Sequence, residues 1–109
     1  MNILNQQKVI SEFGYWPQFR DAKITKFAIN SGCNRINLTI DYIDVDKNIQ
    51  SEVDLAFEEI CDVDLNGLFD ENVIDLLSIE SSSDGKMKIC LDACYGLNGL
   101  FYCKSIIVL

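Results

Sequence analysis

The chain has 109 residues, with nine Lys and Arg against seventeen Asp and Glu, no histidine, and a net charge of −8 at pH 7. That balance argues against surfaces that must neutralise phosphate, whether of nucleic acid or of an anionic membrane; it would attract a basic protein partner, and it equally serves plain solubility. With 49% hydrophobic residues, the composition suits one domain with its own core and argues against disorder.

Residues 1–15, MNILNQQKVISEFGY, lack a basic leader and a continuous apolar stretch, so no targeting segment is expected and the cytoplasm is the expected location. The longest purely apolar run, Ile106-Ile107-Val108-Leu109, is far short of the ~20 residues of a membrane helix. Val9, Ile10 and Phe13 share one face of a short helix, with Gly14 as its stop. Pro17 then biases Trp16 away from helical geometry.

Beyond this point the period changes to two. Ala22 to Asn30 reads as a strand with a bulge, because Ile24 and Phe27 have opposite parity. Ile36, Leu38, Ile40 and Tyr42 alternate with polar residues, as do Val53, Leu55 and Phe57, and again Met87, Ile89, Leu91 and Ala93. Val73 to Glu80 is a weaker strand. Phe101 to Leu109 is apolar at both parities, which predicts one central strand covered on both faces. Turns are expected at Ser31-Gly32, Val45 to Gln50, Asn66-Gly67, Ser81 to Gly85 and Gly96 to Gly99. The expected fold is α+β and predominantly β. An N-terminal helix packs on a mostly antiparallel twisted sheet of about six strands, whose other face is solvated, covered by loops or used as an interface.

Chemistry is hard to place. Without histidine the chain lacks the usual general base and the usual metal ligand, so no Ser-His-Asp or Cys-His arrangement can form within it. Gly96-x-x-Gly99 lacks the lysine and following helix of a phosphate loop. Asp44, Asp46 and Asn48 match the first ligands of a calcium loop, but Ile49 and Leu55 stand where glycine and a bidentate glutamate belong, so a polar hairpin turn is the better reading. The five cysteines, Cys33, Cys61, Cys90, Cys94 and Cys103, contain no C-x-x-C pair and read as reduced, buried small hydrophobes. No metal, cofactor or catalytic residue is expected, and the chain reads as a binding protein, not an enzyme. Glu58, Glu59, Asp62, Asp64, Asp70, Glu71 and Asp75 gather in what looks like a strand end and loop. They form either a solvated face or an acidic binding patch, with Asp62, Asp64, Asp70 and Glu71 as the candidate partner contacts.

Two segments carry a resemblance. Phe13-Gly14-Tyr15-Trp16-Pro17-Gln18-Phe19-Arg20-Asp21-Ala22 is similar to the opening signature of the bacterial immunity protein fifty family of polymorphic toxin systems, matching at Phe13, Gly14, Trp16, Pro17, Phe19, Asp21 and Ala22. Tyr95, Gly96 and Gly99, followed by a strand, resemble that family's second block. Arg20 and Lys23 stand where the family pattern has histidine and glutamate, and residues 31–85 carry no matching motif. The resemblance implies a cytoplasmic protein that neutralises a cognate toxin domain by direct binding. The acidic balance suits a basic, nuclease-like toxin. The motif residues also have plain structural uses: Trp16 and Phe19 clamp the helix to the sheet, Pro17 stiffens the turn, Asp21 bonds backbone amides, and Tyr95, Gly96 and Gly99 make a tight turn. Two other readings stand beside this one. The first is a non-toxin interaction module that forms a homodimer through the two-sided C-terminal strand. The second is a small-ligand domain built on the uncovered sheet face.

Overall fold

A computed structural model describes residues 3–82 and 84–109. Ser83, within the expected Ser81 to Gly85 turn, lies outside the described residues, as do Met1 and Asn2. The elements in chain order are β1 (Ile3–Leu4), α1 (Gln7–Phe13), β2 (Lys23–Asn30), β3 (Arg35–Asp44), β4 (Ile49–Glu58), β5 (Cys61–Asn66), β6 (Val73–Ser81), β7 (Met87–Tyr95), β8 (Asn98–Cys103) and β9 (Ser105–Val108). They form one nine-stranded sheet in the order β1-β9-β4-β3-β2-β6-β7-β8-β5, antiparallel except for the β1–β9 pair. Predominantly β and mostly antiparallel, the fold matches the expected class, but among the described residues it has nine strands in place of about six, and the short helix follows a first strand, β1.

The sheet is twisted, and Val9 and Phe13 of α1 pack into its core. It curls so that its inner face packs against itself, and the Phe57 ring of β4 meets the Phe101 ring of β8 edge-on at 5.1 Å. Alternation supplies that inner face. Ile36, Leu38 and Ile40 on β3, Val53, Leu55 and Phe57 on β4, and Met87, Ile89 and Leu91 on β7 all join one buried cluster. The curl has two corners. At one, β2 and β6 share a single register pair, Lys23↔Val73, and the pairing continues upstream of β2, with Asp21 N donating to Ile74 O and Leu77 N to Gln18 O. At the other corner the chain itself bends, between β4 and β5 at Glu59 (φ 52°) and between β8 and β9 at Lys104.

That second corner corrects the reading of the C-terminal segment. Phe101 and Cys103 point inward from β8, whereas Ile106 and Val108 point inward from β9, so the inward parity switches across Lys104. Apolarity at both parities marks two strands joined by a bend, not one strand buried on both faces. β9 lies inside the sheet between β1 and β4, so the feature offered for self-association has an intramolecular cause. The predicted bulge in β2 is present, between Ile24 and Lys26. Helix α1 ends as expected at Gly14, in the left-handed region (φ 85°), whose N–H donates to Ile10 O. No helix among the described residues is long and apolar enough to cross a membrane.

Candidate partner-binding surface

The first motif block is built into the end of the curled sheet. Phe13 and Phe19 are fully buried and each meets Tyr42 of β3 edge-on, at 5.2 and 5.5 Å, while Trp16 packs edge-on to Phe19 at 5.9 Å. Tyr15 turns the other way. Its hydroxyl donates to Asp44 Oδ2 at 2.7 Å, which leaves the 3.0 Å contact with Tyr42 to be donated by Tyr42. Asp44 also accepts from Lys47 N at 3.1 Å, and Lys47 Nζ reaches the carbonyl of Phe13 at 2.6 Å, closing the C-terminal end of α1. The Tyr15 hydroxyl bond, followed by the Lys47 backbone and charge, holds the Asp44 carboxyl below its usual range. The hydrogen bonds with Tyr42 and Asp44 push the Tyr15 phenol upward. Asp44, Asp46 and Asn48 therefore make the expected polar hairpin turn, with Asn48 at φ 55°.

Asp21 does not bond backbone amides through its side chain. It sits at φ 63°, and its carboxylate receives the Cys94 thiol at 3.9 Å. Arg20 pairs with Asp75 of β6 at 3.7 Å, both well exposed. Through these contacts the two motif blocks, far apart in sequence, meet across the start of β6.

The second block shapes an exposed tip. Asn72, only 7% exposed, accepts from Phe69 N at 3.2 Å and Leu97 N at 2.9 Å, and donates to Phe69 O at 3.0 Å. One amide thus ties the β5–β6 loop to the β7–β8 turn. The two segments approach so closely that a Cβ on Gly96 would lie 2.2 Å from Asn72 Oδ1, and one on Gly67 would lie 2.7 Å from Gly96 O. The turn spans Gly96-Leu97, because β8 already begins at Asn98. Phe69 and Tyr95 project from the tip with ring centroids 5.5 Å apart, and both are exposed, as is Leu68.

The four candidate carboxylates divide between the edge strand β5 and the loop that follows it. Asp62 and Asp64 stand on β5, which is a strand and not the loop expected from the sequence, and which forms an outer edge of the sheet. β5 pairs only with β8, through a bulge between Cys61 and Asp64 at which Asp62 adopts φ 52°. Asp70 and Glu71 are the two residues between Phe69 and Asn72. All four are exposed, and among the described residues none makes an ion pair or a side-chain hydrogen bond. Asp62 has a cation in range: Lys86, raised first by Cys61 and then by Asp84, is also raised by Asp62. Glu58, by contrast, is committed to Arg35, and Asp75 to Arg20. Sequence reasoning found the carboxylates from charge density but missed Asn72, Phe69, Leu68 and the outward turn of Tyr95. The close pair Gly67 and Gly96 was the available signal.

Among the described residues no three of Cys, Asp and Glu gather as a metal site would require. The cysteines differ from the uniform buried set expected. Cys103 is buried, and that burial pushes its thiol up to about 12. Cys61 and Cys90 are half-buried, and Cys33 and Cys94 are exposed. A cleft of about 450 Å³ between Trp16 and β6 is lined by Ile3, Gln6, Pro17, Gln18, Leu77, Ser78 and Ile79 as well, with no charged group to orient a ligand.

The family model described as Immunity protein 50 matches residues 5–108, nearly the whole chain. The chain belongs to that immunity-protein family. No curated protein and no solved structure shows significant similarity to it.

Proposed function

We propose that this protein acts in the cytoplasm as an immunity protein that neutralises a cognate toxin domain by direct binding, with no catalytic step. One observation carries the reading beyond family membership. Asp62, Asp64, Asp70 and Glu71 are exposed carboxylates that make no ion pair among the described residues, although Lys86 lies in range of Asp62. Charge on β5 also guards the sheet edge, but Asp70 and Glu71 lie outside any strand, and unpaired charge of one sign raises the capture rate of an oppositely charged partner. The net charge of −8 acts in the same direction. A basic, nuclease-like toxin domain fits this field.

The test is co-expression with the toxin domain encoded by the neighbouring gene, scoring survival and a pull-down together. Wild type is expected to rescue the cells and to form a complex. The quadruple reversal D62K/D64K/D70K/E71K is expected to lose both while remaining folded, its melting temperature lowered only slightly by the left-handed backbone of residue 62, because all four side chains are exposed. Protection that survives the quadruple change would refute the acidic margin as the contact. Rescue without any complex would refute direct binding.

A further inference from the structure

Large apolar side chains exposed one at a time need no explanation, but two aromatic rings fixed side by side at the end of a loop do. Phe69 is 54% exposed and Tyr95 53%, so the pair offers water on the order of 200 Å² of aromatic surface, taking each side chain at roughly that full size. Leu68, 57% exposed, adds to it. Folding would hide this surface if hydrophobic burial alone decided. It stays outside because Asn72 fixes the Phe69 backbone at both its N–H and its C=O, and holds the Tyr95-Gly96-Leu97 turn through Leu97 N. Rings held in this way lose little conformational freedom on binding, which is what an interface anchor requires.

Charge selects the occupant. Asp70 and Glu71 leave the same short turn as Phe69 and have no cation of their own among the described residues. An anionic or purely apolar partner seated on the rings would strip water from these carboxylates without replacing it. A long side chain with an apolar stem and a cationic head satisfies both parts, its stem on Leu68 and the ring faces and its charge toward the carboxylates. We propose that the Phe69–Tyr95 pair, held by Asn72, is the anchor that seats a protruding lysine or arginine of the toxin. The proposal rests on the toxin-binding reading above and specifies where that contact is strongest.

Titration calorimetry with the purified toxin domain from the neighbouring gene, at low and at high salt, tests it. Phe69→Ala and Tyr95→Ala are each expected to weaken the complex by about 30-fold, the range of an interface hot spot. Phe69→Leu keeps an apolar side chain but removes the π face, and is expected to weaken it by about tenfold. D70N/E71Q is expected to weaken binding and reduce its salt dependence. Melting curves of all variants should overlay wild type, since these side chains are exposed. Alanine variants that bind like wild type, while the quadruple charge reversal abolishes binding, would overturn the anchor and leave the toxin-binding reading standing. Phe69→Leu at wild-type affinity with salt-independent binding would overturn the cationic occupant. A wild-type protein that does not bind the toxin domain would overturn the toxin-binding reading, and the anchor with it.

Discussion

Replacing Asn72 by alanine is the most direct test of how the tip is held. The side chain serves three backbone groups, and their surroundings differ. Leu97 is 3% exposed, so its N–H would be left in a dry environment without a partner, at a cost of about 1–3 kcal/mol. Phe69 is exposed, so water can take over at its N–H and C=O, and each of those losses is held to about 0.5–1 kcal/mol. The expected total is about 2–5 kcal/mol, which for a domain of this size lowers the melting temperature by roughly 10–20 °C. Thermal melts followed by circular dichroism measure it, with Asn98→Ala as the comparator. Asn98 also accepts a backbone bond, from Ala93 N at 3.0 Å, but at an exposed site, so its loss should cost under about 1 kcal/mol. Variants that melt within about 2 °C of each other would show that burial of the Leu97 N–H is not what makes Asn72 matter.

Two further outcomes follow from the same geometry. Gly99→Ala places a Cβ 2.0 Å from the Asp64 carbonyl at φ 137°, so β5 must separate from β8, and amide exchange over residues 61–66 should accelerate; Gly85→Ala, with open space at φ 82°, should cost only the roughly 1–2 kcal/mol of left-handed strain, and exchange unchanged by Gly99→Ala would refute the close approach. Asp44 has a folded pKa depressed below its unfolded value, chiefly by Tyr15, so its contribution is full above the unfolded value near 4 and is lost as pH falls through the lower folded value; Tyr15→Phe should therefore lose less stability than wild type between pH 5 and about 3, and parallel acid melting curves would contradict that linkage.

The fold was legible where burial is one-sided. β3, β4 and β7 each have a dry inner face and a wetter outer one, so their period of two is written in side-chain type. The strands that escaped have a different physics. β1 is two residues long, too short for a period. β5, with the sequence Cys-Asp-Val-Asp-Leu-Asn, buries little on either face because it is an edge, and edges are protected by charge and bulges, the features that read as loop. At Lys104 the chain changes which parity faces inward, and no local pattern separates such a bend from a strand covered on both sides. A sheet that curls onto itself needs no second layer to bury its inner face, and no local pattern in the sequence announces that curl.

At the candidate site, composition found the charge but not the shape. Asp70 and Glu71 stand out as acidic neighbours, whereas Phe69 in the same stretch reads as a core residue, since aromatic type predicts burial and only backbone geometry reverses it. What reverses it is a division of labour within the molecule. Phe13, Pro17 and Phe19 of the first block are buried and bind α1 to the sheet, while Gly96 and Leu97 of the second are locked against Asn72. Asp62, Asp64, Asp70, Glu71, Phe69 and Tyr95 stand outside that frame, and their side chains support none of its buried contacts. Substitution in the first set should therefore unfold the protein before it alters recognition, and substitution in the second should alter recognition with the fold intact. A surface that can change at so little structural cost, on a frame held this firmly, suits the toxin-binding role proposed above.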